Sequence, residues 1–254
     1  MTKKVYIIIR GGLGNQLFQI FTVISYAKLY NYIPQLIPSQ KNGIRPFYWN
    51  NFLKMFRSII VFNLQNPYDR FVEKSHNYNI IPKFSNNVLL DGYFQSYKYF
   101  NNLPINEILG IKREQLDDYV SIHFRWGDYK TSQEYHVVQS EGYYLKAIKY
   151  FSDTQKYIVY GESEDIPGIL LKFKELFRIL KGRYIITNKK TDYEQMIEMS
   201  NCHSNIIANS TFSWWGAYLN TNINKKVVYP NNWFGYKYYD KSAIDICPSD
   251  WIKI

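Results

Sequence analysis

The chain has 254 residues, 46% hydrophobic and 20% charged, which excludes a disordered protein and leaves room for one large domain or two ordinary ones. Its 31 basic residues against 21 acidic give +10, a field that favours phosphorylated substrates and peripheral contact with an anionic membrane surface. The basic residues are scattered, clustering no further than pairs such as Lys3-Lys4 and Lys189-Lys190, so no arm or stripe for nucleic acid is present, and two distant cysteines, Cys202 and Cys247, make neither a zinc ribbon nor a disulfide-stapled secreted domain.

Met1-Thr-Lys-Lys leads into Val5–Ile9, too short for a signal segment and read as a first strand. No apolar run approaches the roughly 18–20 residues of a membrane span. A cytoplasmic setting, with peripheral contact to the membrane surface, is expected. Aromatic residues make up 19% of the chain, 25 of them Tyr; this suits sugar-binding surfaces and equally a compositional bias toward Tyr, Asn, Lys and Ile.

After the first strand, Arg10-Gly-Gly-Leu-Gly-Asn-Gln-Leu-Phe-Gln opens a helix predicted over 15–30. A glycine turn at a helix N-terminus offers free N–H groups and a positive dipole end to an anion. The dinucleotide fingerprint fails, because Leu17 stands where its third glycine belongs, and no Lys-Ser/Thr completes a phosphate loop. Asn15 either caps the helix or donates its amide to a ligand oxygen. Residues 34–87 carry five prolines and weak periodicity, and irregular structure with short helices is expected there.

A strand at 88–90 follows, then a boundary within 101–117. From there a βα rhythm predicts a parallel sheet: strands at 119–124, 156–160, 183–187, 205–208 and 226–229, helices at 142–152, 167–181, 191–202 and 210–220. The strand at 119–124 runs into Ile122-His-Phe-Arg-Trp-Gly-Asp-Tyr129. Residues two apart share a strand face, so His123 and Arg125 point one way and Phe124 the other. Arg125 can clamp a phosphate bidentately; His123 can bond a ribose or base, or titrate near neutral pH. Asp128 fixes the turn or orients Arg125. Further on, Asn209-Ser210-Thr211 opens the 210–220 helix as a second anion site, with Phe212 placed to stack on a base and Trp214 and Trp215 packing the helix. Glu162-Ser-Glu164-Asp165 offers carboxylates to a metal or, as acids at a helix start, complements the dipole.

These segments, with Asp91-Gly-Tyr-Phe-Gln-Ser-Tyr-Lys-Tyr-Phe100, resemble the hallmarks GGLGNQxFQ, GYWQSxKYF, HxRRGDY and NSSFSWWGA of the α-1,2-fucosyltransferases of glycosyltransferase family 11, over residues 5 to about 230. The resemblance implies an α/β, GT-B-like fold: two facing Rossmann-like domains with a nucleotide-sugar cleft between them. Residues 1–115 would form an acceptor-side domain and 116–254 the GDP-sugar-binding domain, the last residues packing back on the first.

The activity implied is inverting transfer of L-fucose from GDP-fucose to a glycan acceptor, at the 2-hydroxyl of a terminal galactose, with no cofactor and no metal. Arg125 and Asn15 are then the candidate catalytic residues, Arg125 on the β-phosphate and Asn15 on the diphosphate or fucose. Gly12, Leu13 and Gly14 surround Asn15 in the closing loop, and His123 takes the nucleoside side. Asn209, Ser210, Thr211 and Phe212 take phosphate and guanosine. Two positions depart from the family pattern. Trp126 replaces the second Arg of the motif, and Gln195, preceded by Glu194, stands where an acidic residue often meets guanine. A catalytically inactive sugar- or nucleotide-binding module, and a transferase using another nucleotide sugar, are the alternative readings.

Overall fold

Runs of β-branched and aromatic residues build the central strands, since such side chains fill the two buried faces of a parallel sheet. The computed structural model describes residues 2–40, 45–114, 116–238 and 244–254; the boundary residue Gln115, residues 41–44 and the tail residues 239–243 therefore lie outside the described residues. Two compact units are formed. The first comprises Met1–Ile111 with Ser242–Pro248, and the second Lys112–Lys241 with Ser249–Ile254.

In the first unit, β1 (Lys4–Ile9) is followed by α1 (Leu13–Tyr30), β2 (Ile33–Pro38), β3 (Tyr68–Val72), β4 (Asn87–Asp91) and the short α2 (Ile105–Leu109). The strands pair in parallel in the order β2-β1-β4-β3. The region expected to be irregular thus contains two strands. Both are edge strands, where prolines such as Pro34 and Pro38 cost no ladder bond on the open side. That position removed the alternating apolar signal by which a strand is recognised in sequence.

The second unit carries β5 (Leu116–His123), α3 (Glu141–Ala147), β6 (Lys156–Tyr160), α4 (Ile166–Lys172), α5 (Lys174–Ile179), β7 (Tyr184–Ile186), α6 (Asp192–Asn201), β8 (Cys202–Ile206), α7 (Thr211–Tyr218), β9 (Val227–Tyr229) and β10 (Ile252–Lys253). The predicted helix at 167–181 is two helices meeting at Phe173, and the predicted strand at 205–208 begins earlier, at Cys202. Gly182, shortly after α5, takes φ +76°, a left-handed conformation that glycine adopts without strain. All strands are parallel in the order β10-β9-β8-β5-β6-β7. Counting β5 as the first strand, this is 3-2-1-4-5-6 read from β7, the doubly wound Rossmann order. Val120, Ile122 and Phe124 face α3, α4 and α5. On the opposite face Ile158 and Tyr160 pack with Met199, Cys202 and Phe212 of the α6–β8–α7 side.

In such a sheet ligands bind beyond the carboxyl ends of the strands, at the point where strand order reverses. In the second unit that point lies between β5 and β8; in the first, between β1 and β4. Among the described residues no helix is long and apolar enough to cross a membrane.

Candidate active site

At the second unit's reversal point, β5 ends on His123, which is in register with Tyr160 of β6. Arg125 and Glu162 each leave their strand two residues later, and so emerge side by side. Nη1 of Arg125 donates to Oε1 of Glu162 (2.7 Å) and Nη2 to Oδ1 of Asp128 (2.6 Å), while the guanidinium lies over the Tyr129 ring at 5.1 Å. The Tyr129 hydroxyl donates to the carbonyl of Asn209 (3.1 Å), at the end of the β8 segment. Asp128 therefore orients Arg125. Glu162 is a second partner that local spacing did not reveal, because it depends on sheet register.

The turn carrying Arg125 is pinned by Asp165, whose carboxylate accepts from the Gly127 N–H (2.7 Å) and Lys130 Nζ (3.2 Å). Asp165 and Glu162 thus serve two different partners. Among the described residues no group of three His, Cys, Asp or Glu is arranged to hold a metal ion.

Trp126 turns to the opposite side of the sheet, against Phe173 (5.9 Å), with Lys172 and Lys130 Nζ at 4.8 and 5.5 Å from its ring. The departure from the family motif is thereby tied to two lysines. Trp126→Arg, which restores the family residue, adds a third cation and removes two contacts worth about 0.5–1 kcal/mol each. It is expected to lower unfolding stability by about 1–2 kcal/mol, read as an earlier urea midpoint; an unchanged midpoint would show that the ring carries no such load.

His123 is buried, its ring 5.4 Å from that of Phe212 at the start of α7. Burial, with Arg125 adding a smaller electrostatic push, lowers its pKa from 6.5 to about 3. The expectation that it titrates near neutral pH is corrected: burial favours the neutral form, and Nδ1 is buried and unpartnered.

α7 starts beside it. Ser210 is the N-cap but its hydroxyl does not cap the helix, and it is followed by Thr211 and Phe212 at partly exposed positions. The first-turn N–H groups have no intrahelical acceptors. Asn209 departs from its expected role. Its side-chain amide donates to Trp233 O (2.9 Å) and its carbonyl accepts from Gln139 Nε2 (2.9 Å), so it braces the loop instead. Gln139 gave no sequence signal.

Glu194 and Gln195 stand at the start of α6, on the same carboxyl edge but by β7, apart from the Arg125 group in strand order. Glu194 forms a capping box with Thr191, whose N–H and hydroxyl it accepts at 3.1 and 2.7 Å. Those bonds hold its pKa below the usual carboxylate value. Gln195 donates to Lys189 O (3.1 Å).

In the first unit, the glycine loop joins β1 to α1. Gly12, not Asn15, is the N-cap of α1, without a side-chain bond, so the capping role read for Asn15 is corrected. Asn15 instead accepts from Gln95 Nε2 (2.9 Å). The loop is braced by two buried glutamines. Gln16 Nε2 donates to the carbonyls of Gly11 (2.9 Å) and Pro46 (2.8 Å), and Gln19 Oε1 accepts the Arg10 N–H (2.9 Å). The Leu13 side chain belongs to the core, leaving only its backbone for a ligand, and Gly14 is buried too. Asp91, at the end of β4, is engaged by Arg10 (3.1 Å) and by Arg70.

Comparison with known proteins places this geometry. The model of glycosyl transferase family 11 matches residues 94–254, and the chain belongs to that family. An Escherichia coli O-antigen biosynthesis glycosyltransferase, WbnK, is 38% identical over 140 residues, 53% of this chain and 44% of that protein. The chain thus spans less than half the length of that relative. An α-1,2-colitosyltransferase of Escherichia coli is 26% identical over an alignment of 290 residues, covering 96% of both chains. A galactoside 2-α-L-fucosyltransferase of Caenorhabditis elegans is 24% identical, covering 85% of this chain and 69% of the relative. Among solved structures, the NodZ α-1,6-fucosyltransferase co-crystallized with GDP overlays 85% of this chain on 92% of its own, with a TM-score of 0.49 and 13% identity.

Proposed function

We propose that the protein transfers L-fucose from GDP-fucose, with inversion, to the 2-hydroxyl of a terminal galactose on a glycan acceptor. The observation that carries this reading is Arg125. It is a guanidinium fixed at the end of β5, where strand order reverses, beside the open N–H groups of α7. As the glycosidic C–O bond breaks, charge grows on the departing GDP, and donors already in place stabilise it without reorganising. Arg125 takes the β-phosphate, Ser210 and Thr211 the phosphates, Phe212 and the neutral His123 the guanosine, and Asn15 the diphosphate or fucose. Glu194 and Gln195 are the further candidates for guanine.

No metal or cofactor takes part in this reading. The test combines purified protein, GDP-fucose and a panel of galactosides, following GDP release and reading the product linkage by NMR. Acceptor-dependent release that persists in excess EDTA, with an α-1,2 product, is expected. Complete loss in EDTA restored by Mn²⁺ would reject the metal-free mechanism, and release with no acceptor in the panel would reject the transfer.

A second donor is favoured by one observation, the colitosyltransferase aligned over 96% of this chain. Colitose is fucose without its 3-hydroxyl. A site that hydrogen-bonds that hydroxyl discriminates strongly against its absence, so parallel turnover of GDP-fucose and GDP-colitose separates the two donors.

A further inference from the structure

The segment Asp91–Phe100 is the one sequence motif that the proposed chemistry leaves unused. It begins at the end of β4, beside β1, at the first unit's reversal point. Glu73 organises its first turn: its two carboxylate oxygens accept the N–H groups of Tyr93 and Phe94, both at 2.8 Å. A β-carbon on Gly92 would overlap the Glu73 side chain. Phe94 is held at φ +53°, a region that bulky residues rarely occupy. Its buried ring packs against Phe71 and, edge-on, Tyr99. A backbone held in so sparsely populated a conformation must be over-determined by its surroundings, and such points cluster at functional sites.

The residue delivered by this turn is Gln95, buried, with Nε2 donating to Oδ1 of Asn15 at 2.9 Å. A primary amide has one acceptor oxygen and one donor nitrogen. With Oδ1 accepting from Gln95, turning the Asn15 amide alone would set two N–H donors against each other, so the pair holds Nδ2 on the side of Gly11. Gly11, at φ +83°, completes the arrangement, because a β-carbon there would stand 2.8 Å from Nδ2.

We propose that Gln95 is a positioning residue: it locks the Asn15 side chain so that its N–H₂ group, and not its carbonyl oxygen, meets the anionic portion of the donor sugar nucleotide. The proposal rests on the reading of Asn15 as a donor contact given above. Misoriented, the same side chain would place a carbonyl oxygen against phosphate or fucose oxygens and repel them.

Gln95→Glu keeps the shape and replaces the donor by an acceptor, which turns the Asn15 amide round. It is expected to lower kcat/KM for GDP-fucose at least tenfold in the wild-type background, but less than twofold in the Asn15→Ala background. Equal losses in both backgrounds would show that Gln95 does not act through Asn15. If Gln95→Glu does not fold, Gln95→Met, similar in shape and uncharged, carries the same double-mutant comparison.

A second arm needs no activity. The Asn15 side-chain amide pair, assigned by its absence from Asn15→Ala, is followed in the ¹⁵N spectrum of the full chain. It should shift in the Gln95 variant, and an unmoved pair overturns the proposal. Failure of the wild type to turn over GDP-fucose would reject the donor reading instead, with the amide resonance still reporting whether Gln95 sets the orientation.

Discussion

Arg125→Ala is expected to lower kcat for transfer at least tenfold, and on the order of 100-fold, while leaving the protein folded. A single pre-positioned donor to a developing charge is worth about 2.7–4 kcal/mol. Arg125 meets that description because its planar fork is held from three sides, by Glu162 at 2.7 Å, Asp128 at 2.6 Å and the Tyr129 ring. Each contact removes a freedom that would otherwise be lost on binding. Lysine has one ammonium and no fork, so Arg125→Lys cannot keep both carboxylates and is expected to recover little of the loss.

Stability is a separate matter. The Arg125 side chain is 16% exposed, but those of Asp128 and Glu162 are 48% and 44% exposed; once Arg125 is removed both carboxylates are left in water, so losing the pairs costs about 1 kcal/mol. Circular dichroism and a denaturation curve taken with the kinetics separate the two effects. Turnover near that of the wild type in a folded Arg125→Ala protein would remove Arg125 from the chemistry.

What sequence made legible follows a physical line. Strands buried on both faces, such as Val5–Ile9 and Lys156–Tyr160, announce themselves because their side chains must be apolar whatever their neighbours. The edge strands Ile33–Pro38 and Tyr68–Val72 did not, since an edge tolerates proline and charge. At the site, Asp128 was legible because it lies three residues from Arg125 and a turn joins them. Glu162 reaches Arg125 only through the pairing of β5 with β6, and Gln139 reaches Asn209 across 70 residues. Such partners are properties of the folded sheet, and no local pattern encodes them. Asn209 and Glu194 show the converse. Both carry the right chemistry for a ligand, and the fold spends Asn209 on bracing its loop and one oxygen of Glu194 on a helix cap.

His123 supplies the second large effect. Its pKa falls from 6.5 to about 3, chiefly through burial. A histidine depressed in the folded state remains neutral there while the unfolded chain takes up a proton, so stability is full above about pH 6.5 and is lost as pH falls toward 3. At pH 5 the unfolded side chain is almost wholly protonated and the folded one is not, which removes about 2 kcal/mol relative to neutral pH. Most of that loss depends on the unfolded-state value, because the folded pKa lies well below pH 5. Denaturant unfolding of the wild type and of His123→Gln at pH 7.5 and pH 5.0 isolates the contribution, since other acid-sensitive groups are common to both. The wild type should lose about 2 kcal/mol more than the variant over that interval. Parallel losses would mean that the imidazole is already protonated, or in contact with water. In that case the neutral hydrogen-bonding role given to it beside Phe212 would fall, and His123 would return as a candidate for proton transfer near neutral pH.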